Sequence, residues 1–278
     1  MRVEPPLANV SHMPYALIND VSIYYEELGT GEPLLLVMGQ GSDHHGWDGV
    51  RDDFAAHHRV IVFDHRGTGQ SDAPREPAYS IAGFAADAVG LLDHLGIERA
   101  HAYGISMGGR ICQRLGIDHG GRLGALVLGC TTPGNAHGVK RPPEVDAEMA
   151  NRPDDVDARV AFMAEQMVSP AYLAAHPEYL VTARARAENP IPPYAQKMHY
   201  LASEGHDAWD RLPEVTAPTL VIHGTEDRIT PTANAALLAG RIPGAEMHML
   251  EGGRHGYFIE FREEASAVVL DFLARHPI

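Results

Sequence analysis

Hydrophobic residues along the chain fall into short, continuous runs that are separated by polar stretches containing glycine or proline. Runs of this length without polar alternation are typical of strands that are buried on both faces of a sheet. Two other segments, 15–18 and 21–25, flank the turn signal Asn19-Asp20 and predict a β-hairpin. The continuous runs that predict the remaining strands lie at 33–37, 60–63, 100–103, 123–128, 219–223 and 246–250.

Two further segments have apolar residues at the spacing of a helix. Segment 80–96 begins at Ser80, a good N-cap residue, and ends at Gly96, which stops a helix. Helices that alternate with buried strands predict an α/β fold, with a mostly parallel, doubly wound sheet covered by helices on both faces. The apolar faces consist of Ile81, Phe84, Ala85, Ala88, Leu92 and Leu95 in the first helix and of Phe261, Ala265, Val268, Val269, Phe272 and Leu273 in the second.

Region 133–212 interrupts this alternation. It has no strand-like run, is rich in Pro, Ala, Glu and Arg, and contains a helix-compatible piece at 160–167. We interpret it as an inserted helical cap between a first core part at 1–132 and a second at 213–278. Met163 and Met167 lie four residues apart, as do Tyr194 and Met198. These pairs line an apolar substrate pocket beneath the cap, or they pack the small core of the cap itself.

Length and charge limit the classes of function. At 278 residues the chain suits one domain with an insertion. Its net charge of −15 argues against nucleic acid and anionic membranes as partners, because phosphate groups would be repelled. No apolar run approaches the ~20 residues of a membrane span, and residues 1–14 lack a signal-peptide core, so a cytoplasmic location is expected. Cys112 and Cys130 have no metal or redox spacing and are expected to be buried thiols.

A candidate nucleophile lies in the stretch Gly104-Ile105-Ser106-Met107-Gly108, which follows the run at 100–103 and precedes a helix-compatible segment. A strand, Gly-x-Ser-x-Gly and a helix in that order are the setting in which this motif carries a nucleophilic serine on a sharp turn. Glycines two positions before and after the serine let the strand and the helix pass closely. Ser106 is therefore the candidate nucleophile.

A serine hydroxyl needs a base, and the base needs an acid that orients it. Reactive groups of a doubly wound sheet gather at the carboxyl ends of its strands. Asp227 follows the run at 219–223 and His255 follows the run at 246–250, so the chain has the order serine, acid, histidine that is expected on such a sheet. Glu226 is the alternative acid, whereas His223 is expected to be structural.

Together these motifs resemble those of α/β-hydrolase-fold enzymes over about residues 19–273. The resemblance extends to the loop Asp64-His65-Arg66-Gly67-Thr68-Gly69-Gln70-Ser71 and to the segments 223–227 and 253–256. It implies that Ser106 is the nucleophile, that His255 is the general base, and that Asp227 orients His255. Asp227 is favoured over Glu226 because it has the Gly-x-x-Asp spacing of the family. The resemblance also implies that the enzyme needs no metal or cofactor and that its partner is a small-molecule substrate; the oligomeric state is not indicated.

The same resemblance implies an oxyanion hole made of two backbone N–H groups. Met107, directly after the nucleophile, supplies one of them, and Gln40 in the loop after 33–37 supplies the other. Where the family usually has His-Gly before this donor, the chain has Met38-Gly39. The histidine that supports the loop is thus replaced.

Two other features of this loop have competing interpretations. Trp47 forms a wall of the substrate pocket, or it anchors the loop. The stretch Asp43-His44-His45 suggests a metal site, but no third ligand is indicated and the resemblance implies none. We therefore predict no metal there.

The motifs are most similar to those of small-molecule esterases, enol-lactonases and cofactor-free haloperoxidases or perhydrolases. The leading hypothesis is hydrolysis of a carboxylic ester or lactone of a small, largely apolar molecule. The alternatives are carbon–carbon bond hydrolysis of a ring-fission diketone, a perhydrolase or haloperoxidase reaction, and a non-catalytic receptor on the same fold. Epoxide hydrolysis and dehalogenation are disfavoured, because the related enzymes have a carboxylate where Ser106 stands.

Overall fold

A computed structural model describes residues 14–188 and 190–278. Within these residues, eight strands form one sheet: β1 (Tyr15–Ile18), β2 (Val21–Leu28), β3 (Pro33–Val37), β4 (Arg59–Phe63), β5 (Ala100–Ile105), β6 (Leu123–Gly129), β7 (Thr219–Gly224) and β8 (Glu246–Leu250). Their spatial order is β1-β2-β4-β3-β5-β6-β7-β8. The mostly parallel, doubly wound sheet predicted from the sequence is confirmed.

Strand directions follow the predicted pattern. β1 and β2 form an antiparallel hairpin, β2 pairs antiparallel with β4, and all later neighbours are parallel. At the hairpin turn, Asn19 has a φ of 49° and Asp20 a φ of 61°. Two successive residues with positive φ form the turn whose twist matches that of the flanking strands.

Alternate residues of the central strands enter two hydrophobic cores, one on each face of the sheet. On β3, Leu34 and Leu36 pack into one core and Leu35 into the other, because successive side chains of a strand point to opposite faces. Burial on both faces explains why the strand sequences are continuously apolar. Cys112 and Cys130 are both buried, as expected, one in each core.

The helices cover both faces and fill the connection between β6 and β7. The predicted helix at 80–96 is confirmed: the Ser80 side chain caps it by accepting from the N–H of Gly83 at 3.0 Å. In the described part of the chain, every helix is too short or too polar to cross a membrane. The α-helices there are α1 (Arg51–Ala55), α2 (Ile81–His94), α3 (Met107–Asp118), α4 (Pro143–Ala150), α5 (Val156–Met167), α6 (Pro170–Ala175), α7 (Glu178–Arg186), α8 (Pro193–Glu204), α9 (Ala233–Arg241), α10 (Tyr257–Glu260) and α11 (Arg262–Ala274).

Helices α4 to α8 follow one another between β6 and β7, within the region predicted to form a cap. The two segments that connect them to the sheet run beside each other. Gly134 forms a β-bridge with Asp207, and the N–H of Ala208 donates to the carbonyl of Pro133 at 2.9 Å. The segment that leads into the helical insertion and the segment that leads out of it are thus hydrogen-bonded to each other. The expectation about a signal peptide falls on residues 1–13, outside the described residues.

Candidate active site

Ser106 occupies a strained turn between the end of β5 and the start of α3. Its backbone has a φ of 54° and a ψ of −118°, a conformation that residues other than glycine rarely adopt. A Cβ at Gly104 would lie 2.3 Å from the carbonyl oxygen of Gly108, and one at Gly108 would lie 2.0 Å from that of Val37. The strand and the helix cross so closely that both flanking positions require glycine.

The predicted acid and base are hydrogen-bonded to each other at the same edge of the sheet. Asp227 follows β7 and His255 follows β8, and Nδ1 of His255 lies 2.8 Å from Oδ2 of Asp227. The other carboxylate oxygen accepts from the backbone N–H groups of Ile229 and Thr230, both at 2.8 Å. Because an ionised carboxylate only accepts, Nδ1–H of His255 donates to it. In the neutral imidazole, Nε2 is then the atom that can take up a proton.

Both groups are buried, yet charge interactions outweigh the effect of burial on each pKa. Burial by itself would raise the pKa of Asp227, but the imidazoles of His255 and His223 hold that pKa well below its usual range. Burial by itself would lower the pKa of His255, but the carboxylate of Asp227 raises it well above 6.5. The pair therefore stabilises a proton on His255, as a general base requires.

His223, at the end of β7, supports the same carboxylate from another side. Its Nε2 lies 3.1 Å from Oδ2 of Asp227 and 2.9 Å from the carbonyl oxygen of Thr230. Because a carbonyl only accepts, Nε2 of His223 carries a proton that both oxygens share. Glu226, the alternative acid, is exposed, and the carboxylate that faces His255 is that of Asp227.

The loop after β3 brings its backbone against the serine. A Cβ added at Gly39 would lie 3.3 Å from Cβ of Ser106. The carbonyl of Gly39 accepts from the N–H of Ser42 at 3.4 Å, and a trans peptide holds its C=O and N–H on opposite sides. The N–H of Gln40 therefore points away from that bond. Met107 is the first residue of α3, and its N–H is among those that a helix leaves without an intrahelical partner.

His65 supports this loop from a neighbouring one, which the sequence reasoning missed. Its Nε2 lies 3.0 Å from the carbonyl oxygen of Met38. Burial, together with the nearby imidazole of His199, lowers the pKa of His65 to about 4, so the ring is neutral at physiological pH and Nε2–H donates to Met38. An imidazole thus holds the loop even though Met38 replaces the loop's own histidine. The available signal was the position of His65 within the Asp64–Ser71 motif, directly after the strand that neighbours β3.

The Asp43-His44-His45 stretch has structural partners. His44 is buried, and Asp64 accepts from its backbone N–H at 2.8 Å and lies 2.7 Å from its Nδ1. The Asp43 side chain accepts from the N–H of His45 at 3.1 Å and caps a short 3-10 helix. These contacts hold the same loop against the segment that carries His65.

Residues 32–261 match the model of the alpha/beta hydrolase fold. The chain belongs to the α/β hydrolase fold family. A putative carbamate hydrolase, RutD of Azorhizobium caulinodans, is 31% identical over 262 residues, which cover 88% of this chain and 92% of that protein. The 2-hydroxy-6-oxononadienedioate/2-hydroxy-6-oxononatrienedioate hydrolase of Burkholderia vietnamiensis is 31% identical over 276 residues, 92% of each protein. The solved structure of Est816, an N-acyl homoserine lactone degrading enzyme, is 33% identical, with a TM-score of 0.79 and coverage of 94% of this chain and 100% of that one.

In this α/β hydrolase, the end of α5 docks beside the loop that carries His255. The carbonyl of Met167 accepts from the N–H of Gly256 at 2.7 Å. Two residues further on, the N–H of Ser169 donates to Glu260 of α10 at 2.7 Å, and its hydroxyl donates to the same carboxylate. The helical insertion is thus connected directly to the segment that carries His255, the predicted base.

Two of the four predicted pocket residues, Trp47 and Tyr194, pack against the cores of the sheet in this α/β hydrolase. Trp47 is fully buried in one core, with ring centroids 5.1 Å from Tyr103 and 5.4 Å from Phe258. It anchors the core and is not a pocket residue, because no part of its ring is left for a ligand. Tyr194 packs against the other core, and its hydroxyl donates to the carbonyl of Ala73 at 2.6 Å.

Met163 and Met167 are both half-buried on α5. The docking of Met167 beside Gly256 brings the end of this helix next to the loop of the predicted base. A role of the two methionines in substrate binding stays a prediction.

Proposed function

We propose that this α/β hydrolase cleaves a carboxylic ester or lactone of a small, largely apolar molecule through an acyl-enzyme on Ser106. The main support is the 2.8 Å contact between His255 and Asp227 at the sheet edge where the strained Ser106 turn lies. A nucleophilic hydroxyl, a base and an orienting acid are the groups that acyl transfer requires.

In the proposed reaction, Nε2 of His255 takes the proton of the Ser106 hydroxyl while Oγ attacks the substrate carbonyl. Asp227 keeps the imidazole oriented and stabilises its cation. The resulting tetrahedral intermediate expels the alcohol, which takes its proton from His255, and an acyl-enzyme remains. Water, activated by the same imidazole, then attacks the acyl-enzyme and releases the acid.

In this proposal, the negatively charged oxygen of the tetrahedral intermediate accepts hydrogen bonds from the backbone N–H groups of Gln40 and Met107. Preorganised donors of this kind contribute about 3 to 4 kcal/mol each to transition-state stabilisation. The hydrogen bond from Ser42 to the carbonyl of Gly39 orients the peptide between Gly39 and Gln40. The hydrogen bond from His65 to the carbonyl of Met38 orients the peptide between Met38 and Gly39. Neither contact uses the two N–H groups themselves.

The substrate class rests on the relatives and on α5. The similarity to Est816, an N-acyl homoserine lactone degrading enzyme, favours a lactone or ester carbonyl. Met163 and Met167, on the helix that docks beside His255, favour an apolar substituent on that carbonyl.

A second candidate is carbon–carbon bond hydrolysis of a ring-fission diketone. It is supported by the 31% identity to the 2-hydroxy-6-oxononadienedioate hydrolase of Burkholderia vietnamiensis. The same serine, histidine and aspartate would serve this reaction. Perhydrolysis would differ from ester hydrolysis only in the second step, where hydrogen peroxide instead of water attacks the acyl-enzyme.

The test is a rate profile of wild type and Ser106→Ala across esters, lactones, thioesters, carbamates and ring-fission diketones. We expect a burst of one acyl group per active site with an activated ester, a matching mass increase on Ser106, and loss of both in Ser106→Ala. A folded wild-type protein that shows neither turnover nor burst on the panel would contradict the proposal. Tight ligand retention that is unchanged in Ser106→Ala would indicate a receptor instead.

We also propose that the enzyme acts in the cytoplasm on a small-molecule substrate. Cys112 and Cys130 are free, buried thiols, and reduced cysteines are typical of that compartment. Fractionation of the source cells, followed by detection of the full chain, tests this location.

A further inference from the structure

A buried thiol lies beside the acid and the base, and the proposed hydrolysis does not use it. The Sγ atom of Cys130, a carboxylate oxygen of Asp227 and a ring nitrogen of His255 lie within 4.8 Å of one another. All three side chains are buried. Among residues 14–188 and 190–278, this is the one group of three His, Cys, Asp or Glu side chains whose ligand atoms come so close together.

The three side chains are held in place by the ends of three neighbouring strands. Cys130 follows β6 directly, with a φ of 38°, and its N–H donates to the carbonyl of Ile222 on β7 at 3.0 Å. The neighbouring carbonyl of Gly129 accepts from the N–H of Ser106 at 2.9 Å. Backbone bonds thus fix the thiol relative both to the strand before Asp227 and to the predicted nucleophile.

Sulfur, nitrogen and oxygen at this spacing form a donor set for a soft or borderline divalent cation. Zn²⁺ binds thiolate, imidazole and carboxylate at about 2.0–2.3 Å, so the ligand atoms of one ion lie roughly 3 to 4 Å apart. The three atoms here lie within 4.8 Å of one another, close enough for side-chain rotation to bring them to one ion. A thiolate and a carboxylate also balance the two positive charges of the ion, which matters in a buried site. Mg²⁺ and Ca²⁺ prefer oxygen ligands and do not suit this set.

We propose that Cys130, Asp227 and His255 form an inhibitory site for a soft divalent cation such as Zn²⁺ or Cd²⁺. The thiol loses its proton to solvent when the metal–sulfur bond forms. The metal also takes a ring nitrogen of His255. If that nitrogen is Nδ1, its proton moves to Nε2 and the hydrogen bond to Asp227 is lost; if it is Nε2, the ring keeps its proton on Nδ1. In both cases Nε2 can no longer accept the Ser106 proton. Either way the hydrolysis stops until the metal leaves.

Metal binding is tested directly, without relying on turnover. The full chain is titrated with Cd²⁺ while the ultraviolet thiolate-to-cadmium absorption is recorded, and bound metal is counted after equilibrium dialysis. Wild type should gain the absorption at one Cd²⁺ per chain, and Cys130→Ser should lose it. Cys112→Ser is the matched control, since Cys112 is the other buried thiol and lies outside the cluster; it should keep the absorption.

Inhibition is the second readout, and it rests on the proposed function. Zn²⁺ should inhibit ester or lactone turnover of wild type and Cys112→Ser reversibly, with recovery on addition of a chelator, whereas Mg²⁺ should not. Inhibition of each variant is measured relative to its own metal-free rate. The Zn²⁺ concentration for half-inhibition should be at least about tenfold higher for Cys130→Ser than for wild type, because a weakened metal site typically loses about 10- to 100-fold in affinity.

The two readouts keep the possible failures apart. No thiolate absorption in wild type, or equal Zn²⁺ inhibition of wild type and Cys130→Ser, overturns the metal site. A protein that binds Cd²⁺ through Cys130 but turns over no substrate contradicts the proposed hydrolysis and leaves the site standing. If Cys130→Ser does not fold, His255→Ala removes a different ligand and should weaken Cd²⁺ binding by a similar factor; unchanged binding there also overturns the site.

Discussion

The sheet edge that carries Ser106, Asp227 and His255 is fixed by the ends of neighbouring buried strands, whereas the helices between β6 and β7 contact the rest of the molecule at a few individual points and bury fewer side chains. At the edge, Asp227 accepts two backbone N–H groups at 2.8 Å, and Ser106 is tied to the end of β6. Helices α6 and α7 have no buried residue. Helix α8 docks through contacts such as the Tyr194 hydroxyl on the carbonyl of Ala73.

This difference separates the proposed chemistry from substrate recognition. Groups fixed by strand ends keep their geometry when surface residues change, as a reaction that depends on sub-ångström placement requires. Helices with few buried side chains tolerate replacement at little cost in stability, so they can vary with the substrate. Changes at the sheet edge should therefore lower kcat, and changes at the docking contacts should mainly raise KM.

The largest expected effect is that of Asp227→Asn, which removes the charge and keeps the size of the side chain. We expect kcat to fall by about 10⁴-fold, because the neutral amide no longer stabilises the His255 cation or selects its tautomer. Steady-state kinetics on an activated ester measure the loss. Glu226→Gln is the matched control, because Glu226 is exposed next to Asp227, and its rate should stay near that of wild type. A similar loss in both variants would contradict the assignment of Asp227.

The next effect concerns His65, which holds the proposed oxyanion loop through Met38. His65→Ala removes the 3.0 Å bond to Met38, and we expect kcat to fall by roughly 10- to 100-fold with little change in KM, because a loosened oxyanion donor weakens only the transition state. His65→Gln, which keeps an N–H donor, should recover part of the loss.

A matched control for His65 lies at the other end of the sheet. His58 is also buried, and its Nδ1 lies 3.3 Å from the carbonyl oxygen of Glu32, just before β4. His58→Ala should reduce stability without the selective fall in kcat. Equal kinetic losses in His65→Ala and His58→Ala would show that the effect comes from general destabilisation.

The sequence predicts the sheet edge well because its chemistry depends on local backbone rules. Gly104 and Gly108 indicate that a strand and a helix pass closely at Ser106. The apolar runs before Asp227 and His255 indicate that both residues follow strands. Each of these signals lies within a few residues of the sequence, and the parallel order of the strands then brings the three residues to the same edge of the sheet.

Contacts between distant segments leave no such pattern. His65 reaches Met38 from 27 residues away, and nothing in the spacing indicates that pair. Cys130 lies near His255 only because the sheet order places β6, β7 and β8 side by side. Trp47 has two interpretations in the sequence for the same reason: a large aromatic residue in a loop near the site fits a pocket wall and an anchor equally, and only its packing against Tyr103 and Phe258 distinguishes them.

A smaller effect is expected in the pH dependence of kcat/KM, which reports on His255 at the sheet edge. The charge of Asp227, acting against burial, raises the pKa of His255 above 6.5, and the base works only when neutral. As the pH falls through that raised pKa, kcat/KM should fall about tenfold per pH unit, so the acid limb should lie above pH 6.5. In Asp227→Asn the raising charge is gone, and the limb of the residual activity should move to lower pH. A limb below pH 6.5 in wild type would contradict the ion pair.

The smallest effect tests the connection between the two regions. Glu260→Ala removes the carboxylate that accepts from the N–H and the hydroxyl of Ser169. Loss of a charged acceptor at a half-buried contact costs about 1 to 2 kcal/mol. Because the contact holds the junction between α5 and α6 and lies outside the proposed triad, we expect KM to rise about threefold to tenfold while kcat changes less. Glu263→Ala, an exposed carboxylate on the neighbouring helix, controls for lost charge. If kcat falls as far as in His65→Ala, the insertion contributes to the chemistry itself, and the separation between reaction and recognition fails at this point.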